Sequence, residues 1–314
     1  MSAAAMQLML LSLGVCAILV GLTVLGEVLR ARQPANRENP VLDTYQARVE
    51  SWWAIVVLVA LALLAGRLGA VLLALFASFA ALREFLTLTT STRADHAALA
   101  LAFFVVLPGQ YLLVWLGWTG AFTVFVPVYA FLLLPVVSAL RGAPERFLKR
   151  VAETQWALMI CIYCLSHVPA LLTLRLPGDD GGAVLLIAFL FLTVQFGDLL
   201  DYFFGRRIGR TKVAPALSPK TREGMAAGIA SAALIGAGLS WITPFGPLGA
   251  AAVAALLSAT GMMGHLVLAA IKRDRGVRDW SHLIPGQGGV LDQLDSVMFA
   301  APVFYHLMRL TAAA

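Results

Sequence analysis

Ten apolar stretches follow one another along this chain, most of them near the roughly 20 residues that a helix needs to cross a hydrocarbon layer. They run at about 5–25, 53–66, 68–90, 97–116, 121–140, 155–174, 183–204, 225–243, 249–271 and 290–310. Inside lipid every backbone N–H and C=O needs a partner within the protein, and segments of this length meet that demand as helices. The expectation is an all-α fold, a polytopic transmembrane bundle of about ten helices. With 60% hydrophobic and 13% charged residues in 314, too little polar chain remains for an ordinary soluble domain. No basic residue precedes the first apolar run, which is therefore read as a retained helix and not a signal peptide. No internal repeat is evident.

The net charge of +6 invites a nucleic-acid reading, but the basic residues sit in short loops between apolar runs, which is how membrane topology is encoded. If the chain starts outside, the loops 26–51, 91–96, 141–153, 205–223 and 272–289 share one face and hold 19 of the 23 Lys and Arg residues. That face is assigned to the cytoplasm, and the protein to the cell (inner) membrane, with no nucleic-acid partner. Residues Arg30 to Glu50, with Pro34, Asn36, Asn39 and Pro40, read as a non-helical cytoplasmic linker. Trp52 and Trp53 mark an interface, and 176–182 reads as an outer turn. Cys161 and Cys164 lie in an apolar run with no second pair of ligands, so with Cys16 they are read as small core residues. His96, His167 and His306 have no partner in the sequence and are given core or interfacial places.

Against this apolar background two polar stretches stand out. From Ile271 to Ser296 the chain gathers four basic residues, four acids and a Gly-rich turn at Gly286, Gly288 and Gly289. Such glycines let a backbone approach a ligand closely, and a helix starting near Val290 would turn its free N–H groups toward an anion. Asp292 and Asp295, three apart, share one face of that helix. The other stretch, Phe196 to Gly224, puts Asp198 and Asp201 about a turn from the end of a span and follows them with six basic residues. An ionisable group inside a span is costly unless paired or wet, and so marks function. Four carboxylates at one depth form a hard oxygen donor set suited to Mg²⁺. Arg206, Arg207 and Arg210 read first as topology determinants, while Asp201 either pairs with a neighbouring base or serves the site. Gly205 and Gly209, like Gly224 and Gly228, have the spacing of close helix packing.

Lys272-Arg273 followed by Pro285-Gly286-Gln287-Gly288-Gly289 and Asp292-Gln293-Leu294-Asp295-Ser296 resembles the C-terminal motif of the phosphatidate cytidylyltransferases, the CDP-diacylglycerol synthases. Residues 196–224, with Asp198 and Ser218-Pro219-Lys220-Thr221-Arg222-Glu223-Gly224, are similar to that family's other polar region. The resemblance is good over about 194–310. It implies a CTP:phosphatidate cytidylyltransferase that forms CDP-diacylglycerol and pyrophosphate with Mg²⁺, with room for a pair of such ions. It implies catalytic roles for Asp198, Lys272, Arg273, Asp292 and Asp295, and metal ligation by Asp198, Asp201, Asp292 and Asp295. Substrate contacts fall to Lys212, Ser218, Lys220, Arg222, Gly286, Gln287, Gly288 and Gly289. It further implies a homodimer among membrane lipids, with CTP and phosphatidic acid or a similar lipid phosphate as substrates. The chain is then divided into N-terminal helices, 1–182, and a catalytic core, 183–314.

Four departures qualify the match. His265 and Ala269 stand where the common bacterial pattern has Asp and Ser, Gln287 replaces His, Gln293 replaces Arg, and the Ser-Pro segment is one residue short with Arg222 in the place of Trp. The acid missing at His265 removes a metal ligand, and Asp201 is a candidate to replace it. Two other functional readings therefore stand beside the first: a related nucleotidyltransferase with a different lipid acceptor, and a catalytically inactive membrane scaffold.

Overall fold

The computed structural model describes residues 3–32, 40–174 and 183–313. Among them the chain forms ten helical rods, and its only strand-like pairings are two isolated bridges, Lys212 with Thr221 and Ile284 with Gly288. The rods are α1 (Ala3–Ala31), α2 (Pro40–Leu64), α3 (Gly66–Thr87), α4 (Arg93–Leu116), α5 (Thr119–Ala139), α6 (Phe147–Thr173), α7 (Ala183–Ile208), α8 (Arg222–Gly238), α9 (Pro247–Asp274) and α10 (Val290–Ala313). Eight of them are long and apolar enough to cross a membrane, and the protein is an integral membrane protein. The two others are α8, only 17 residues long, and α10, which carries Asp292, Asp295 and Arg309. Both are sheltered. Helix α8 packs between α7 and α9, and α10 packs against α3, α6, α7 and α9, so neither has to face lipid all round.

One expectation is corrected. Of the linker Arg30 to Glu50, residues 30 and 31 belong to α1, and the chain is helical again from Pro40 onward. Proline is well placed at a helix start, where its missing N–H would have no partner anyway. Polarity had suggested a loop, whereas the helix simply continues beyond the apolar zone. Pro34, Asn36 and Asn39, and the expected turn at 176–182, lie outside the described residues.

Contacts between distant loops agree with the alternation of the rods. At one end Arg48 Nε donates to Gly286 O (2.8 Å), Thr90 N to Glu153 Oε2 (2.9 Å), and Arg275 pairs with Glu153 at 2.5 Å. Nearby, the buried pair Arg150–Asp95, at 2.8 Å, ties α6 to the start of α4. At the other end Gln7 Nε2 donates to Trp241 O and Arg67 Nη2 to Val114 O. The first set joins the basic loops to one another, as the charge pattern requires.

The helices that carry the polar stretches pack through small residues. A Cβ on Gly197 would overlap Ser258, and one on Gly228 would meet Met262 Cε at 2.6 Å and Gly197 O at 2.7 Å. At Gly224 it would meet the backbone and carboxylate of Asp201 at 2.8 Å. Helices α7, α8 and α9 thus approach almost backbone to backbone, which fixes the height at which Asp198 and Asp201 stand.

Candidate active site

Helix α7 ends at Ile208, and the loop 209–221 folds back as a closed hairpin: Val213 N donates to Lys220 O (3.0 Å) and Arg222 N to Thr211 O (2.8 Å). Thr221 caps α8 by accepting from Gly224 N. Glu223, in the first turn of α8, accepts from the N–H groups of Arg210 and Thr211, which pull its pKa down from 4.5 to about 2. The loop so held delivers Lys220 to the acids of α7, with Nζ at 2.8 Å from Asp198 Oδ1 and 2.5 Å from Asp201 Oδ2. Burial by itself lowers the Lys220 pKa, but Asp198 and then Asp201 outweigh it and hold it above the ordinary lysine value.

Facing this trio, α10 and α9 contribute two further pairs. Lys272 Nζ is 2.7 Å from Asp292 Oδ1, and His265 Nδ1 is 2.6 Å from Asp295 Oδ2. Asp292 Oδ2 also accepts from Trp280 N and Gly289 N, both at 2.9 Å. Asp295 Oδ1 accepts from Ser296 N at 2.7 Å. The space between is a cleft of about 390 Å³, lined among others by Asp198, Asp201, Tyr202, Arg206, Ser218, Lys220, His265, Asp292, Gln293 and Asp295. The four carboxylates named from the sequence therefore share one cleft.

The remaining residues named from the sequence lie elsewhere. Lys212, Arg222 and Arg273 are exposed and outside the cleft lining, and Lys272 reaches Asp292 from outside it. The N–H groups of the glycine turn are bonded within the protein, those of Gln287 and Gly288 to Ile284 O and that of Gly289 to Asp292 Oδ2. Glu84, projecting from α3, accepts from Val290 N, Leu291 N and Ser281 Oγ at 2.9, 2.9 and 2.7 Å, so a buried carboxylate already occupies the N-terminus of α10. Gly289 leaves room for it, since a Cβ there would meet Glu84 Oε2 at 2.5 Å. Gly286 (φ +72°) and Gly288 (φ +89°) adopt backbone conformations that suit glycine, and Gly286 lies against α2. Gln287 is spanned by α2, accepting from Trp52 Nε1 and donating to Arg48 O.

Glu84 is the site-shaping residue that sequence reasoning passed over. The rule that singles out Asp198, an acid within an apolar run, applies to it equally. The pairing of His265 with Asp295 had no signal beyond the substitution itself.

Electrostatics decides what the cleft can hold. Lys220, Lys272 and Arg206 offset three of the four aspartates, so the cleft has no surplus of positive charge and resists a polyphosphate that arrives without a cation. Among the described residues no three His, Cys, Asp or Glu side chains converge on one point. Carboxylates that act in ones and twos suit Mg²⁺, which keeps several waters and is completed by substrate phosphates. Asp198 and Asp201 fit this part best, because Lys220 is the one side chain bonded to both, whereas Asp292 and Asp295 have protein donors on both oxygens.

Residues 46–311 match the cytidylyltransferase family. Over 297 residues the chain is 34% identical to the uncharacterized protein YnbB of Escherichia coli K12, covering 93% of this chain and 95% of that one. A stretch of 132 residues is 39% identical to the phosphatidate cytidylyltransferase of Brucella abortus, and one of 112 residues is 37% identical to that of Bacillus subtilis. These stretches span 49% and 42% of the two enzymes, about half their length or less.

Proposed function

Because the chain belongs to the cytidylyltransferase family, we propose that it is a membrane nucleotidyltransferase that moves the cytidylyl group of CTP onto a lipid acceptor and releases pyrophosphate. One observation carries the reading: four carboxylates and Lys220, from two polar stretches nearly a hundred residues apart, line a single cleft at the basic end of a membrane bundle. Phosphatidate, the acceptor of the part-length relatives, is the reference acceptor for this reaction.

In this reading Asp198 and Asp201 would hold Mg²⁺ together with the nucleotide's phosphates. The ion would offset charge on the α-phosphoryl group and on the leaving pyrophosphate. Lys220, kept protonated by the two acids, adds a fixed positive charge at the same place and holds their carboxylates apart. Arg206 lines the mouth and meets the polyphosphate from the solvent side. Lys272 acts through Asp292, which it orients together with the N–H groups of Trp280 and Gly289. Catalysis is then chiefly positioning and charge stabilisation, with no covalent enzyme intermediate. The active face lies in the cytoplasm, where the nucleotide is, and the protein works as a homodimer in the inner membrane.

The test is transfer of label from [α-³²P]CTP into chloroform-soluble lipid by the purified full-length chain in phosphatidate-containing vesicles with Mg²⁺. We expect label to appear, and to fall by about a hundredfold or more in an Asp198→Asn/Asp201→Asn variant. A folded protein that neither binds CTP nor labels any lipid would favour the scaffold reading.

A further inference from the structure

Behind α9 lies a second cavity of about 520 Å³, within the range of about 300–1,000 Å³ that small-molecule sites occupy. Helix geometry separates it from the cleft. His265 and Lys272, about two turns apart, stand on one face of α9 and bond Asp295 and Asp292. Val267, Ala270, Ile271 and Asp274 stand on the opposite face and line the second cavity, with Phe85 of α3 and Trp156 of α6 across from them. The walls are thus mostly apolar, at the basic end of the bundle. Trp156 is exposed beside them, as aromatic residues are at membrane interfaces.

Two polar features indicate the occupant. At the rim Glu153 is shared by Arg275, at 2.5 Å, and Lys149, at 3.9 Å, so one carboxylate meets two cations. Asp274, the other acid there, is 71% exposed and its charge is screened by water. In the wall, Trp280 is stacked on Phe85 with ring centres 5.2 Å apart and is buried, yet its Nε1–H has no hydrogen-bond partner among the described residues. A buried donor without an acceptor is costly. A phospholipid suits both features: its phosphate meets the rim cations, an ester carbonyl offers an acceptor, and an acyl chain covers the apolar walls.

We infer that this cavity binds an anionic phospholipid of the surrounding leaflet, apart from the acceptor in the cleft, and that the bound lipid steadies the start of α10. Its walls adjoin the groups that hold that helix. Phe85 follows Glu84, which accepts from the first N–H groups of α10, and Ile271 precedes Lys272, which bonds Asp292. The backbone N–H of Trp280 donates to Asp292 Oδ2 at 2.9 Å, and Ser281 beside it donates to Glu84. A lipid that fits only when these walls are in place favours that arrangement, by as much as its affinity differs between the arrangements.

The experiment places the full-length protein in phosphatidylcholine nanodiscs that contain a minor fraction of a lipid with a diazirine on one acyl chain, either phosphatidylglycerol or phosphatidylcholine. After irradiation the labelled peptides are mapped by mass spectrometry. We expect the anionic probe to label residues 152–156 and 267–271 about fivefold more than the zwitterionic one. That preference should vanish in Lys149→Gln, and labelling of 267–271 should be lost in Ala270→Trp, which fills the cavity. With unlabelled phosphatidylglycerol added, amide exchange at Val290 and Leu291 should slow by about fivefold or more in the wild type and not in Lys149→Gln. Lys149 is exposed and outside the cleft, so its replacement remains readable if Ala270→Trp packs poorly. Equal labelling by the two probes, or labelling unchanged in a folded Ala270→Trp protein, would overturn the site. Exchange indifferent to phosphatidylglycerol would overturn the coupling to α10. None of these readouts needs CTP, so failure of the transfer reading and failure of this inference are told apart.

Discussion

At the scale of single residues the cleft is a set of ion pairs, and each carboxylate is legible only through its partner. Lys220 carries two acids, one of them buried, so Lys220→Met leaves Asp198 and Asp201 facing one another without compensation. Breaking a buried pair from one side costs about 3–5 kcal/mol, and the lower figure applies here because Asp198 keeps some contact with water. The expected outcome is a lower melting temperature in detergent together with loss of lipid labelling. Glu223 gives a pH prediction. Its folded pKa, about 2, lies below its ordinary 4.5, so its contribution is fully present above pH 4.5 and is lost as pH falls toward 2. The protection factors of the Arg210 and Thr211 amides, exchange rates referred to the intrinsic rate at each pH, should fall across that window and stay constant above it. Unaltered protection at pH 2.5 would remove Glu223 as the anchor of the loop.

Among elements, the active face depends on how closely α7, α8 and α9 approach and on how α10 begins. A methyl group on Gly228 would press on a backbone carbonyl as well as on Met262, and a backbone cannot rotate out of the way. Gly228→Ala should therefore cost about 1–3 kcal/mol and shift Asp201, lowering transfer more than CTP binding. At α10 the start depends on Glu84, which satisfies two N–H groups that have no partner within the helix. Glu84→Gln turns one acceptor into a donor facing an N–H, at a cost of about 1–2 kcal/mol. Faster amide exchange at Val290 and Leu291, with the remainder of α10 protected, would match that role; unchanged exchange would refute it. That α10 starts near Val290 was readable from the glycine turn and the apolar run. That its anion comes from α3 was not, because nothing in residues 283–296 refers to a side chain two hundred positions earlier.

For the whole molecule, the alternation of ten rods places the basic loops together, and this is testable without any enzymology. In a Cys16→Ser background, Ala216→Cys should react with a membrane-impermeant thiol reagent only in inverted vesicles, and Gly246→Cys only in intact spheroplasts. The reverse pattern would invert the assigned topology and place the cleft on the side without nucleotide. Both positions are exposed, and Gly246 has open space for a side chain. The same arrangement explains why two helices too short or too polar to stand alone in lipid are central: α8 and α10 carry or border the site and are shielded by their neighbours.

By itself the sequence determined the number of helices, the grouping of the basic loops at one end, the two polar stretches and the four aspartates. These rest on local quantities, namely hydropathy over a span and charge in a loop, which act before any helix meets another. Tertiary structure alone decided which donor each acid receives: Lys220 for Asp198 and Asp201, Lys272 for Asp292, His265 for Asp295 and the α10 N-terminus for Glu84. A low-dielectric interior makes such pairing obligatory for every buried charge, but the choice of partner is a property of close helix packing. Spacing along the chain carries no record of it.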